Sequence, residues 1–162
     1  MRIGIHLLFI IFLSCSRQDV NEITSLLDQF YATYKFDSKS ININSLSDDF
    51  ATLVSTALKR ETEEVNKVKT SNYPDEKPLI LEGSLFTSLY EGYDKFQIDS
   101  VGIDMKQAIV RIHFFNQELA RDWYDSIILT KENSWKIDNV QFGQRPGIKD
   151  TKELFKRYIQ SN

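Results

Sequence analysis

Hydrophobic positions recur along this chain with two periods, first that of a helix and then that of a strand. Val20, Ile23, Leu27, Phe30 and Tyr34 follow one another in alternating helical steps, with Leu26 and Tyr31 widening the stripe, so the spacing predicts an amphipathic helix. Asp19-Val20-Asn21-Glu22 has the form of a capping box and is expected to start it. Beyond a polar Ser/Asn connection, Ser45-Leu46-Ser47-Asp48 leads into Phe50, Leu53, Val54, Ala57 and Leu58, a second stripe whose phase continues to Val65 and Val68. The pairs Lys59 with Glu63, Arg60 with Glu64 and Glu63 with Lys67 are one helical turn apart, as on a solvated helix face.

Pro74 and Pro78 with polar neighbours place a loop over residues 69–78. The apolar residues that follow, Leu79 to Leu81 and then Phe86, Leu89 and Tyr90, fit a short helical or irregular segment that plugs the core. From about Asp94 the period becomes two. Phe96 and Ile98 alternate, as do Val101 and Ile103 after a change of phase that implies a bulge near Asp99 or Ser100. Ala108, Val110, Ile112 and Phe114 form a clean row, Trp123, Ile127 and Leu129 form another across Asp125, and Trp135, Ile137, Val140 and Phe142 make the last strand. Short polar turns between these strands predict an antiparallel meander. Gly143 to Gly147 ends the sheet, and Asp150-Thr151-Lys152-Glu153 is a second capping box, ahead of Leu154, Phe155, Tyr158 and Ile159. The fold class is therefore α+β: two N-terminal amphipathic helices packed on a four-stranded antiparallel meander, with a short C-terminal helix.

Ahead of all this stand Arg2 and the run Leu7 to Leu13, shorter than the roughly 20 residues of a membrane-spanning helix and laid out as an export signal. Phe12-Leu13-Ser14-Cys15 resembles the lipobox of bacterial lipoproteins, with Phe12 where leucine is usual. That resemblance implies a signal peptide over residues 1–14, a diacylglycerol on Cys15 as the new N-terminus, a short tether over 15–18 and a single domain over 19–162. Cys15 is the only cysteine, so an internal disulfide is excluded, and lipidation accounts for an unpaired thiol in an exported chain. The expected address is the bacterial cell envelope; Ser16 supplies no acidic retention signal, which points to the outer membrane. Removing residues 1–14 takes away Arg2 and no acid, so the net charge moves from −3 to −4. Scattered basic residues on an acidic domain give no footprint for nucleic acid.

Two helices followed by a four-strand meander that closes on Trp135-Lys136-Ile137-Asp138-Asn139-Val140 resemble the nuclear transport factor 2-like, or cystatin-like, fold. The resemblance implies a curved sheet wrapped round the helices as a cone with one open end. More narrowly, Phe30 to Tyr34, Lys77-Pro78 with Phe86, and Trp135 to Val140 resemble a family of uncharacterised bacterial lipoproteins catalogued as domain of unknown function 3828. Neither resemblance carries catalytic residues to this chain, and the fold by itself licenses no activity.

The candidate chemistry is sparse. His113 is the one histidine of the mature chain, which excludes histidine-cluster metal sites, and an acylated Cys15 excludes a Cys-His nucleophile. No calcium-loop spacing or glycine-rich phosphate loop is present, so no cofactor is expected. Strand parity places Arg111, His113 and Phe115 on the face opposite the Ala108–Phe114 row, outside the cone, where they are interaction candidates. Asp125 shares the inner parity of Trp123, and a carboxylate on an apolar wall needs a partner or a raised pKa. Tyr31, Tyr34, Trp123 and Asp125 are thus the ligand-binding candidates, with core packing as the plainer account of the aromatic three. The leading expectation is a non-catalytic binding module for an unknown protein or small ligand. A small pocket enzyme, hydrolase, isomerase or dehydratase-like, requires Asp125 within hydrogen-bond reach of a tyrosine in a closed apolar cavity. An envelope-tethered inhibitor or immunity-type protein requires an exposed patch with aromatic or basic anchors.

Overall fold

A computed structural model describes the backbone of residues 6–161 and the side chains of residues 17–161. The export segment over 1–14 and the Cys15 thiol lie outside the described side chains. Three helices, α1 (His6–Thr33), α2 (Asp48–Lys69) and α3 (Thr151–Gln160), pack against a sheet of β1 (Lys95–Asp104), β2 (Gln107–Asn116), β3 (Arg121–Lys131) and β4 (Trp135–Gln141). The strands lie in chain order, each antiparallel to the next, as the polar turns between them require. Among the described residues no helix is long and apolar enough to cross a membrane.

Period two along β2 and β3 buries Ala108, Val110, Ile112 and Phe114 beside Trp123, Asp125, Ile127 and Leu129. The change of phase in β1 is a register shift between Ile98 and Ser100 against β2. A second shift, between Ile128 and Leu129 against β4, falls where the apolar step in β4 lengthens from two residues to three, between Ile137 and Val140. Ile23, Leu27, Phe30 and Tyr31 of α1, Tyr34 just past its end, and Phe50, Val54 and Ala57 of α2 supply the helical side of the core.

Ser47 caps α2 by accepting the Phe50 N–H at 3.3 Å, and its hydroxyl donates to Asp138 Oδ1 at 2.6 Å. Asp150 caps α3 by accepting the Glu153 N–H at 2.8 Å, while the Glu153 carboxylate reaches back to the Lys149 N–H, one residue before the cap.

The first capping box is different. Asp19 and Glu22 stand inside a helix that is continuous from His6, because nothing between the apolar run and Asp19 interrupts helical geometry. Their carboxylates turn to β4 instead. Asp19 Oδ1 accepts the Trp135 indole N–H at 3.0 Å and pairs with Lys131, and Glu22 Oε1 accepts the Trp135 backbone N–H at 3.0 Å. The hydrogen bonds from Lys131 and Trp135 hold the Asp19 carboxyl below the usual aspartate value. Twelve residues further along, Tyr31 packs on Phe96 and Phe114 with ring centroids 5.6 and 5.1 Å apart. About 18 Å of helix therefore runs along the sheet from the β3–β4 turn toward its opposite end.

Candidate functional site

Between α2 and β1 the chain has no regular secondary structure, yet Ser84, Leu85, Phe86, Thr87 and Ser88 are buried. An irregular segment inside a protein must find partners for its backbone groups outside any ladder. Here side chains provide them. The Tyr34 hydroxyl accepts the Leu85 N–H at 2.7 Å, and the Tyr31 hydroxyl donates to Phe86 O at 3.2 Å. Thr151 Oγ1 donates to Leu85 O at 3.0 Å, and Arg145 donates to Ser84 O at 2.6 Å. Burial drives the Tyr31 hydroxyl well above the usual phenol value and pushes Tyr34 up to about 12, so both stay protonated hydrogen-bonding groups.

Asp125, only 2 % exposed, lies on the inner face as its parity predicts and fastens the same segment to the sheet. Its Oδ2 accepts from Thr87 Oγ1 at 2.9 Å, the Ser88 N–H at 2.8 Å and the Trp123 indole N–H at 3.1 Å. Its Oδ1 accepts from the Ser88 hydroxyl and from the Gly143 N–H at 2.8 Å. The indole N–H is shared with Thr87 Oγ1 at 2.8 Å. Gly143 can come this close because it lacks a side chain: a Cβ there would stand 2.0 Å from the Tyr124 carbonyl oxygen. The half-buried Arg145 guanidinium is drawn below its usual pKa by desolvation, an effect that the tyrosines and the Asp125 charge oppose.

Tyr31, Tyr34, Trp123 and Asp125 are thus brought together, but around a segment of their own chain that fills the position a ligand would take. The condition set for a pocket enzyme is not met here. Among the described residues the donors to Asp125 are Thr87, Ser88, Trp123 and Gly143, with no tyrosine. The adjoining cavity, lined by Ser88, Leu89, Arg121, Trp123 and Gln144, measures about 40 Å³, the scale of water rather than of substrate.

The other face of the sheet is built differently. Phe115, His113 and Arg111 alternate outward along β2, and Tyr124 faces them from β3. The His113 ring stacks on Tyr124 with centroids 4.1 Å apart and planes 16° from parallel, and the Phe115 ring, tilted by 40°, has its centroid 4.1 Å from that of His113. The Arg111 guanidinium sits 4.0 Å above the Tyr124 ring. Two carboxylates frame the row: Asp122 Oδ2 is 2.7 Å from His113 Nε2, and Asp99 Oδ2 is 3.8 Å from Arg111 Nε. Arg111 remains 53 % exposed, and Ile109 continues the row as an exposed apolar side chain. Such a surface cation–π contact contributes only about 0.5–1 kcal/mol, so the row adds little to folding while keeping aromatic and guanidinium groups ordered at the surface.

Tyr124 and Asp122 complete the row and carry no signal of their own in the sequence. Register would have found them: a turn that pairs Asn116 with Arg121 also pairs His113 with Tyr124 and Phe115 with Asp122. Among the described residues no cluster of His, Cys, Asp or Glu is placed to hold a metal ion. Comparison of the chain with protein-family models, curated proteins and solved structures returned no match.

Proposed function

We propose that this chain is an exported bacterial envelope lipoprotein, anchored through Cys15, whose domain is a non-catalytic binding module that engages a partner protein on the outer face of its sheet. The domain is read as a nuclear transport factor 2-like cone, akin to the lipoproteins catalogued as domain of unknown function 3828. The order of two helices, antiparallel meander and final helix supports that reading.

The observation that carries the functional part is the contrast between the two faces. Inside, the polar atoms of Tyr31, Tyr34, Trp123 and Asp125 are engaged by residues 84–88 of the same chain. Outside, Phe115, His113, Tyr124 and Arg111 form an ordered row, with Arg111 exposed and the three rings partly so, rich in the residue types that anchor protein interfaces. The lipid anchor rests on the export signal and lipobox pattern of residues 2–15.

A photo-crosslinking amino acid at Ser126, paired with Arg111 on the outer face, is expected to capture a discrete partner in the native host. One at Lys59, on the exposed side of α2, is expected to capture none. Equal capture from both positions, or capture from Lys59 alone, refutes the outer face as the docking surface. Cys15→Ser is expected to abolish partitioning into detergent, and unchanged partitioning of that variant refutes lipidation.

A further inference from the structure

The bonds from Asp19 and Glu22 to β4 fix more than the packing of α1. Asp19 is tied to Lys131 and Trp135 at the β3–β4 turn, and Cys15 is only four residues away. Those four residues amount to about 6 Å of axial rise in a helix and about 14 Å at full extension. An acyl group on Cys15 therefore leaves no long leash. Whatever the conformation of the tether, the end of the sheet that holds Trp135 stays close to the lipid.

The β1–β2 turn lies at the same end, since the Lys131 N–H donates to Lys106 O at 2.8 Å. At its tip Met105 is 89 % exposed and has a φ of +50°. That is the first central position of a two-residue hairpin turn, where a primed turn usually takes glycine. A long apolar side chain held outward there is a poor choice for water and a good one for the region between lipid head groups and acyl chains. The opposite end of the sheet, with Leu119 in the β2–β3 turn, is about 33 Å away along the ten residues of β2.

We propose that the domain stands end-on to the bilayer, with the β1–β2 turn seated in the head-group layer through Met105 and the β2–β3 turn pointing away. This rests on the reading of Cys15 as the anchor. Charge does not drive the contact: Asp19, Glu22, Asp48, Asp49, Asp104 and Glu132 at this end outnumber Lys106, Lys131 and Lys136, so zwitterionic lipid suffices. In this pose the row from Phe115 to Arg111 runs up the side of the domain, clear of the membrane and open to a partner.

The test uses the full lipidated protein in phosphatidylcholine vesicles that contain a spin-labelled phosphatidylcholine. Because Cys15 is the only native cysteine and is acylated, Met105→Cys and Leu119→Cys each supply one thiol for an environment-sensitive fluorophore. The label at 105 is expected to be quenched several-fold more strongly than the label at 119. Equal quenching, or stronger quenching at 119, overturns the orientation while leaving the anchor intact. Flotation with the vesicles and the thiol count of the unsubstituted protein report the anchor separately. A protein that fails to float and shows one free thiol overturns the anchor and the orientation with it.

Discussion

The carboxylate of Asp125 accepts the backbone N–H of Ser88 at 2.8 Å, joining the middle of β3 to a stretch that has no secondary structure of its own. The Trp123 indole N–H and the Gly143 N–H donate to the same carboxylate, and like the Ser88 N–H they cannot accept a hydrogen bond in return. Asp125→Asn turns an amide NH2 toward N–H groups and is expected to cost about 2–4 kcal/mol of stability. Urea unfolding of the variant checks this, and a shift under about 0.5 kcal/mol contradicts it.

Gly143 reaches Asp125 by lying against the Tyr124 carbonyl. Gly143→Ala forces that backbone apart and withdraws one donor from the carboxylate, for a loss of about 1–3 kcal/mol or more. Hydrogen exchange locates the effect: the Ser88 amide is expected to lose protection beyond that of β1.

Asp19 gives stability a dependence on acid. Its folded pKa is depressed by Lys131 and Trp135, so the contribution is complete above the unfolded value near 3.9 and is lost as pH falls through the lower folded value. The stability gap between wild type and Asp19→Asn, measured by thermal unfolding, is expected to be widest near neutral pH and to close on acidification below about 4. A gap that is constant with pH contradicts the ion pair as its source.

Tyr34 sets a limit at the alkaline end. Its hydroxyl titrates at about 12 in the folded protein against about 10 in the unfolded chain, so its contribution is complete below pH 10 and is lost as pH rises toward 12. Tyrosinate absorbance present in wild type and missing from Tyr34→Phe is expected to appear only near pH 12 or together with unfolding. Its appearance near pH 10 with intact circular dichroism contradicts the burial of this group.

The elements that the sequence made legible are those whose burial is periodic. Stripes in α1 and α2, alternation in β2 and β3 and the phase change in β1 each repeat one local environment, so spacing alone reveals them. The same parity put Asp125 inside and Arg111, His113 and Phe115 outside. Two features escaped because they depend on contacts distant in sequence. Asp19 and Glu22 have the local form of a cap, but their partners, Lys131 and Trp135, lie more than a hundred residues away. Residues 84–88 have no period because side chains from α1, the residue just past it, β3, the β4–α3 connection and α3 each satisfy a different backbone or hydroxyl group. A wall of Tyr31, Tyr34, Trp123 and Asp125 reads as a ligand site until the segment that occupies it is seen.

The binding role of the outer face is tested most directly by purifying the tagged, membrane-anchored wild type and its Arg111→Ala/His113→Ala/Tyr124→Ala variant side by side from the native host, with native mass spectrometry of each. The variant is expected to fold, with a loss of no more than about 1–2 kcal/mol for these side chains. A species carried by wild type is expected to be missing from it. The same companion on both proteins, at the same occupancy, would contradict that role.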